Sequence, residues 1–344
     1  MKTETITLKE AREASLTAYI QEVDGEFGFS RRPAMLVIPG GGYAMCSDRE
    51  ADPVAMAYLK AGYQAFVLRY TCTPKGKWPL PLEDYEQAMA LIEEHADEWH
   101  LDKERIAVVG FSAGGHLAAC AATVAQHKPA AAVLVYPAIL KDICDMCQPG
   151  MPYPHEHVTA DTCPCFLVAA RDDRTVDISN TLRMELALTE KGIAFESHIY
   201  SYGGHGFSTG EDWINTNSVC PRLPRWVPDS IEWLSEVMGK LTRSGFTEPI
   251  SAGSMNGNFA PVLSVDCTLS HLRKQREEAK AVLTPMFAAI EAVAKARQFS
   301  ADGLMAAVGN NTAREIMEMV QIPAETITGI DKALHQMINK LEDE

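Results

Sequence analysis

Five runs of the chain, AMLVIPG (34–40), QAFVLRY (64–70), RIAVVGF (105–111), AAVLVYP (131–137) and CFLVAARDD (165–173), are short, rich in β-branched residues and apolar almost without a break. A strand with one wet face alternates apolar with polar residues. These runs do not, so both of their faces must be covered. Between them lie segments 52–62, 81–100, 113–127 and 178–192, whose apolar residues recur at intervals of three and four, the period of a helix with one buried stripe. Strand and helix in turn predict an α/β domain, a mostly parallel sheet flanked by helices on both sides. ITL (6–8) and SLTAYIQEV (15–23) do alternate, as half-exposed antiparallel edge strands would, and FESHIYSY (195–202) reads as a last strand. The helical pattern DSIEWLSEVMGKL (229–241) completes a domain expected to span residues 1–243.

Residues 244–265 are rich in Gly, Ser, Pro and Asn, lack a period and read as a linker. The remainder, 266–344, is expected to be a small all-α module, with Pro285 kinking or breaking its first helix. The stretch TAREIMEMVQIPAETITGIDKALHQMI has the spacing of a helix-turn-helix, but from Gly245 onward nine Lys and Arg stand against thirteen Asp and Glu. The would-be reading helix carries only Lys332 and Lys340 as basic residues, a poor footprint for phosphate. Packing on the first domain, roofing its site or making a homo-oligomer contact is the expected use of these helices. The formal net charge of −15 agrees, arguing against nucleic acid or an anionic membrane as partner and for a small neutral molecule. The first twenty residues carry no apolar core of signal-peptide length, and nine cysteines without an export signal are expected to be reduced, so the chain reads as cytoplasmic.

Gly110-Phe111-Ser112-Ala113-Gly114 matches G-x-S-x-G at the point where the run IAVV gives way to the alanine-rich HLAACAATVA. There a tight strand-to-helix turn lifts a serine oxygen clear of the sheet, and only small neighbours fit round it. A serine hydroxyl is a weak nucleophile until a base takes its proton and an acid orients that base, and in this setting the partners follow in the order Ser, acid, His. Asp172 and Asp173, after CFLVAA, are both candidates for the acid; His205, between glycines in GGHGF, is the candidate base. Both positions fall just past strand C-termini, where open α/β sheets gather their chemistry. His198 within a strand pattern and His116 within the helix after Ser112 read as structural. An oxyanion needs backbone N–H donors, which Ala113 and the glycines 40–42 of VIPGGGY can supply.

Together, IPGGGY, DKERIAVVGFSAGGHLAA, VTADTCPCFLVAARDDRTV and SYGGHGF resemble the α/β-hydrolase superfamily, in particular the small serine esterases related to acetyl xylan esterases and the hormone-sensitive-lipase-like group. The resemblance covers residues 30 to 243. It implies the α/β-hydrolase fold, Ser112 as nucleophile, Asp173 as acid through its Asp-x-x-Val spacing, His205 as base and Gly41, Gly42 and Ala113 as oxyanion donors. A small acyl group, acetyl above all, carried on a sugar or oligosaccharide is the implied substrate. Many members have a histidine that anchors the glycine loop where this chain has Pro39.

Tyr43, Met45, Phe207 and Trp213 flank the glycine and histidine loops and are candidates to line the substrate pocket, core packing being the alternative for each. Cys144, Cys147, His155, His157, Cys163 and Cys165 have ligand types that could hold zinc, but the cysteines serve equally as small apolar residues. The triad chemistry needs neither metal nor cofactor, and none is expected. Two rival functions remain open: a peptidase of the oligopeptidase branch, disfavoured because no propeller-like domain precedes the hydrolase, and a non-catalytic ligand-binding or adaptor protein on the same scaffold, disfavoured because all three triad residues are present.

Overall fold

The apolar runs become the centre of one eight-stranded sheet, ordered β1-β2-β4-β3-β5-β6-β7-β8. β1 (Lys2–Lys9) and β2 (Ala14–Ile20) pair antiparallel at one edge. β2 also runs antiparallel to β4, and every further neighbouring pair, through β3 (Arg32–Ile38), β4 (Gln64–Arg69), β5 (Leu101–Phe111), β6 (Ala131–Val135), β7 (Cys165–Ala170) and β8 (Phe195–Tyr200), is parallel. The connections are α1 (Asp52–Lys60), α2 (Leu80–Glu94), α3 (Ser112–Thr123), α4 (Lys141–Cys147) and α5 (Ser179–Glu190), and α6 (Trp226–Met238) follows β8. The structure is a computed structural model that describes residues 1–23, 25–215, 218–250, 257–260 and 262–339.

Successive residues of the central strands enter opposite cores. Ala34, Leu36 and Ile38 pack with Tyr85 and Met89 of α2, Leu117 of α3 and Met184 of α5. Met35 and Val37 pack with Val54 and Tyr58 of α1 and Trp226, Trp233 and Leu234 of α6. Burial on both faces is why these strands do not alternate in sequence.

The chain divides into two compact units, Met1–Gly253 and Ser254–Glu344. The stretch 244–265 expected as a linker is thus shared between them. Gly245–Phe246 pairs with Leu241–Thr242, and the N–H of Ile250 donates to the carbonyl of Glu236, while Leu263 and Val265 lie in the core of the second unit. That second unit holds α7 (Leu269–Leu272), α8 (Glu277–Val282), α9 (Thr284–Ala296), α10 (Ala301–Ala307), α11 (Ala313–Met319) and α12 (Ala324–Leu334). Pro285 marks a break rather than a kink, with α8 ending at Val282 and α9 beginning at Thr284. It sits in the first turn of α9, where its missing N–H leaves no intrahelical bond unmade. Lys340 of the helix-turn-helix reading lies outside the described residues.

Gly114 is the tightest point between α3 and the sheet: a Cβ there would meet the carbonyl oxygens of Ile38 and Pro39 at the end of β3. Gly114→Ala is expected to lower the urea midpoint by the equivalent of about 2–3 kcal/mol, since backbone cannot yield as a side chain would. An unchanged midpoint would disprove the packing argument.

Candidate active site

Between the C-terminal end of β5 and the start of α3 the chain turns at Ser112, whose φ of 53° lies in the left-handed region. A side chain avoids that region unless its surroundings impose it. Gly110 permits the turn, because a Cβ there would collide with the carbonyl oxygen of Gly114. Ser112 Oγ is 2.8 Å from His205 Nε2, and His205 Nδ1 is 2.7 Å from Asp173 Oδ2. Asp173 is buried, and its other oxygen accepts the N–H groups of Thr175 and Val176 at 2.8 and 2.9 Å. Asp172 instead accepts from the N–H groups of Gly203 and Gly204 at 2.9 and 3.0 Å, holding the loop that carries His205. Asp173, the acid that the resemblance implies, faces the imidazole, and Asp172 faces the loop.

Gly41 and Gly42 border the cleft beside Ser112, while Ala113 is buried at the first turn of α3. The N–H of Gly40 donates to Glu50 Oε2 at 2.8 Å, so it is engaged elsewhere. Among the described residues no hydrogen bond claims the N–H of Gly41 or Gly42. Without a histidine at position 39, the glycine loop is held by other means. Tyr70 donates its hydroxyl to the carbonyl of Pro39 at 2.8 Å, Glu50 holds Gly40, and the carbonyl of Tyr43 accepts the N–H of Thr73 at 2.9 Å.

The cleft has a volume of ≈ 420 Å³ and is lined, around Ser112 and His205, by Met45, Ser47, Arg49, Glu50, Ala138, Ile143, Met146, Cys147, Thr175 and Val176. Of the four pocket candidates only Met45, 57% exposed, lines it. Tyr43 and Phe207, each 1% exposed, are core residues. Tyr43 follows a glycine in the left-handed region and points beneath the loop, and Phe207 packs edge-on against Tyr136 with ring centroids 4.4 Å apart. Trp213 is 71% exposed and donates its indole N–H to Glu211 at 2.9 Å, away from the cleft lining. Sequence reasoning missed the α4 wall, Ile143 and Met146, because an apolar residue in a loop-rich segment carries no positional signal. It also missed Glu50 and Tyr136, whose burial reveals them only in three dimensions. Cys144 and Cys165 are buried in the apolar core, and no three His, Cys, Asp or Glu side chains among the described residues gather as metal ligands would.

His116 is fully buried. Its Nε2 is 2.9 Å from the carbonyl of Pro152 and its Nδ1 2.7 Å from the hydroxyl of Tyr43. A carbonyl only accepts, so the proton sits on Nε2 and the Tyr43 hydroxyl donates to Nδ1. That neutral form fixes the glycine loop from below.

An eight-stranded sheet of order 1-2-4-3-5-6-7-8 with a serine on a tight turn after the fifth strand and a histidine after the eighth is the arrangement of an α/β-hydrolase. The BD-FAE family profile matches residues 28–148. The crystal structure of an α/β-hydrolase enzyme from a Medee basin deep-sea metagenome library superposes with a TM-score of 0.64 and 37% identity, covering 69% of this chain and 98% of that one. The chain belongs to the α/β-hydrolase superfamily. It is also 31% identical over 231 residues to endo-1,4-beta-xylanase B of Butyrivibrio fibrisolvens, covering 58% of this chain and 35% of that protein. With the acetylxylan esterase of Xylanibacter ruminicola it shares 28% identity over 219 residues, covering 56% of this chain and 45% of the relative. The chain thus spans less than half the length of these two relatives.

Burial lowers the pKa of His116 to about 4, well below the ordinary imidazole value of about 6.5. The unfolded chain therefore binds that proton more readily than the folded one. Stability is full above about pH 6.5 and is lost as pH falls toward 4, by on the order of 3 kcal/mol for the whole shift. Urea titrations at pH 7 and pH 4.5 should show a larger drop for wild type than for His116→Gln; equal drops would assign the acid sensitivity to other groups.

Proposed function

We propose that the first unit is a serine carboxylesterase acting on short acyl esters, acetyl above all, carried on a sugar or oligosaccharide. The observation that carries this reading is the unbroken hydrogen-bonded chain from Ser112 through His205 to Asp173 at the edge of an open cleft. In the proposed reaction His205 Nε2 takes the proton of Ser112 as Oγ attacks the ester carbonyl. The N–H groups of Gly41, Gly42 and Ala113 stabilise the resulting oxyanion, and the imidazolium gives its proton to the departing alcohol. Water then repeats the steps on the acyl-enzyme. Asp173 holds the Nδ1–H tautomer and stabilises the imidazolium, while Asp172 keeps the histidine loop in place.

The acyl and sugar assignments draw on the acetylxylan esterase relative and on the cleft itself, whose wall of Ile143, Met146, Ala138 and Val176 suits a small apolar acyl group while its open mouth admits a larger alcohol. Among the described residues no helix is long and apolar enough to cross a membrane.

Hydrolysis of para-nitrophenyl acetate and of acetylated xylo-oligosaccharides tests the reading. Ser112→Ala and Asp173→Asn are expected to lower kcat by on the order of 10³–10⁴-fold. Asp172→Asn, which can still accept from both glycine N–H groups, should cost less than about tenfold. Equal rates for wild type and Ser112→Ala would end the esterase assignment.

A further inference from the structure

We infer that Glu50 and Tyr136 are positioning residues for this reaction, a buried carboxylate–phenol pair that fixes the oxyanion glycines relative to the histidine. The inference rests on the esterase reading above.

Glu50 is 3% exposed although it lies in a polar stretch, Ser47-Asp48-Arg49-Glu50, between the glycine loop and α1. Its Oε2 accepts the N–H of Gly40 at 2.8 Å, one residue before the glycines assigned to the oxyanion. Its Oε1 accepts the hydroxyl of Tyr136 at 2.7 Å. Tyr136, 1% exposed, stands just past β6 with a φ of 37°, and its own oxygen accepts the N–H of Ser208 at 3.0 Å. Ser208 is three residues beyond His205, and its hydroxyl donates to the carbonyl of Arg49 at 2.5 Å. The Tyr136 ring meets the His205 imidazole edge to face, centroids 4.9 Å apart. One continuous path, Gly40 to Glu50 to Tyr136 to Ser208, thereby joins the loop that would bind the oxyanion to the loop that would move the proton.

A packing role alone would be met by a hydrocarbon of the same volume. Here two main-chain donors from different loops depend on the pair, and each would be left without its acceptor if the pair were removed. Burial raises the Glu50 pKa, and the bonds from Tyr136 and Gly40 pull it back. The chemical consequence is geometric. Oxyanion donors act over a few tenths of an ångström around 2.7–3.1 Å, and a displacement of about 1 Å at such a site costs on the order of 10²-fold in rate. Tyr136 does not line the cleft, and Glu50, which borders it, has both oxygens engaged by Gly40 and Tyr136 rather than free for substrate, so the effect should fall on kcat and spare KM.

The test uses the full chain and para-nitrophenyl acetate. Tyr136→Phe keeps the ring and removes the tie; Glu50→Ala removes both bonds. Glu50→Gln can still accept from Gly40 and donate to the phenol oxygen. Tyr136→Phe and Glu50→Ala should each lower kcat by about 10–100-fold with KM within about twofold of wild type. Their combination should be no worse than either alone, and Glu50→Gln should recover at least about tenfold over Glu50→Ala. Should thermal melts show Glu50→Ala unfolded, Tyr136→Phe and Glu50→Gln carry the comparison. A folded Tyr136→Phe with kcat within about twofold of wild type, or with KM rising in step with the loss, overturns the inference. Activity that depends on Ser112 but ignores Tyr136→Phe sinks only the positioning role, whereas activity indifferent to Ser112→Ala sinks the esterase reading itself.

Discussion

Everything at the cleft follows from how closely the start of α3 lies against the end of β3. Gly114 sits where any side chain would strike the carbonyls of Ile38 and Pro39, so the helix can approach the sheet only through hydrogen-bearing backbone. That approach brings Ser112, at the tip of β5, beside the glycine loop that leaves β3. Parallel strands then deliver the remaining groups to the same rim: β7 ends at the loop carrying Asp173, β8 at the loop carrying His205, and β6 at Tyr136. A parallel sheet forces this gathering, because all its strand C-termini face one way. The left-handed φ of Ser112 and of Tyr136 are paid for by the two cores that clamp the strands on either face.

The fold was legible because its main signal is collective. Five short, β-branched, nearly unbroken apolar runs alternating with helical patterns read as strands covered on both sides, and no single residue has to be judged correctly for that conclusion to stand. Ser112, His205 and the glycine loop were legible for a different reason: each stands at a turn just past a strand, where the sequence changes abruptly. The choice between Asp172 and Asp173 was not open to periodicity, since adjacent residues share a loop and differ only in direction. In space one carboxylate faces the imidazole and the other faces the N–H groups of Gly203 and Gly204.

Tyr43 and Phe207 show where nearness in sequence misleads. Each adjoins a cleft residue, yet both rings are buried in the core. Tyr43 serves the cleft from beneath, through His116, rather than by touching its contents. The α4 wall was hidden because Ile143 and Met146 sit in a segment whose chemistry looked dominated by cysteine and histidine. Cys144, Cys163 and Cys165 are instead part of the apolar core, and Cys147 lines the cleft.

The polar groups buried around the cleft share one design. Asp173 and Glu50 are carboxylates taken out of water, which is costly unless their oxygens are met by donors. Asp173 receives two main-chain N–H groups besides the imidazole; Glu50 receives one main-chain N–H and a phenol. In each case the main-chain donors lie in loops between strands and helices. A buried carboxylate can therefore do for irregular backbone what a ladder does for a strand, setting the spacing of loops that the sheet alone leaves free. That is why the cleft can be built from glycine-rich segments and still hold atoms within hydrogen-bond tolerance. Tyr70 at Pro39 and His116 at Tyr43 extend the same logic to the two ends of the glycine loop, so that a histidine at position 39 is one way of anchoring it among several.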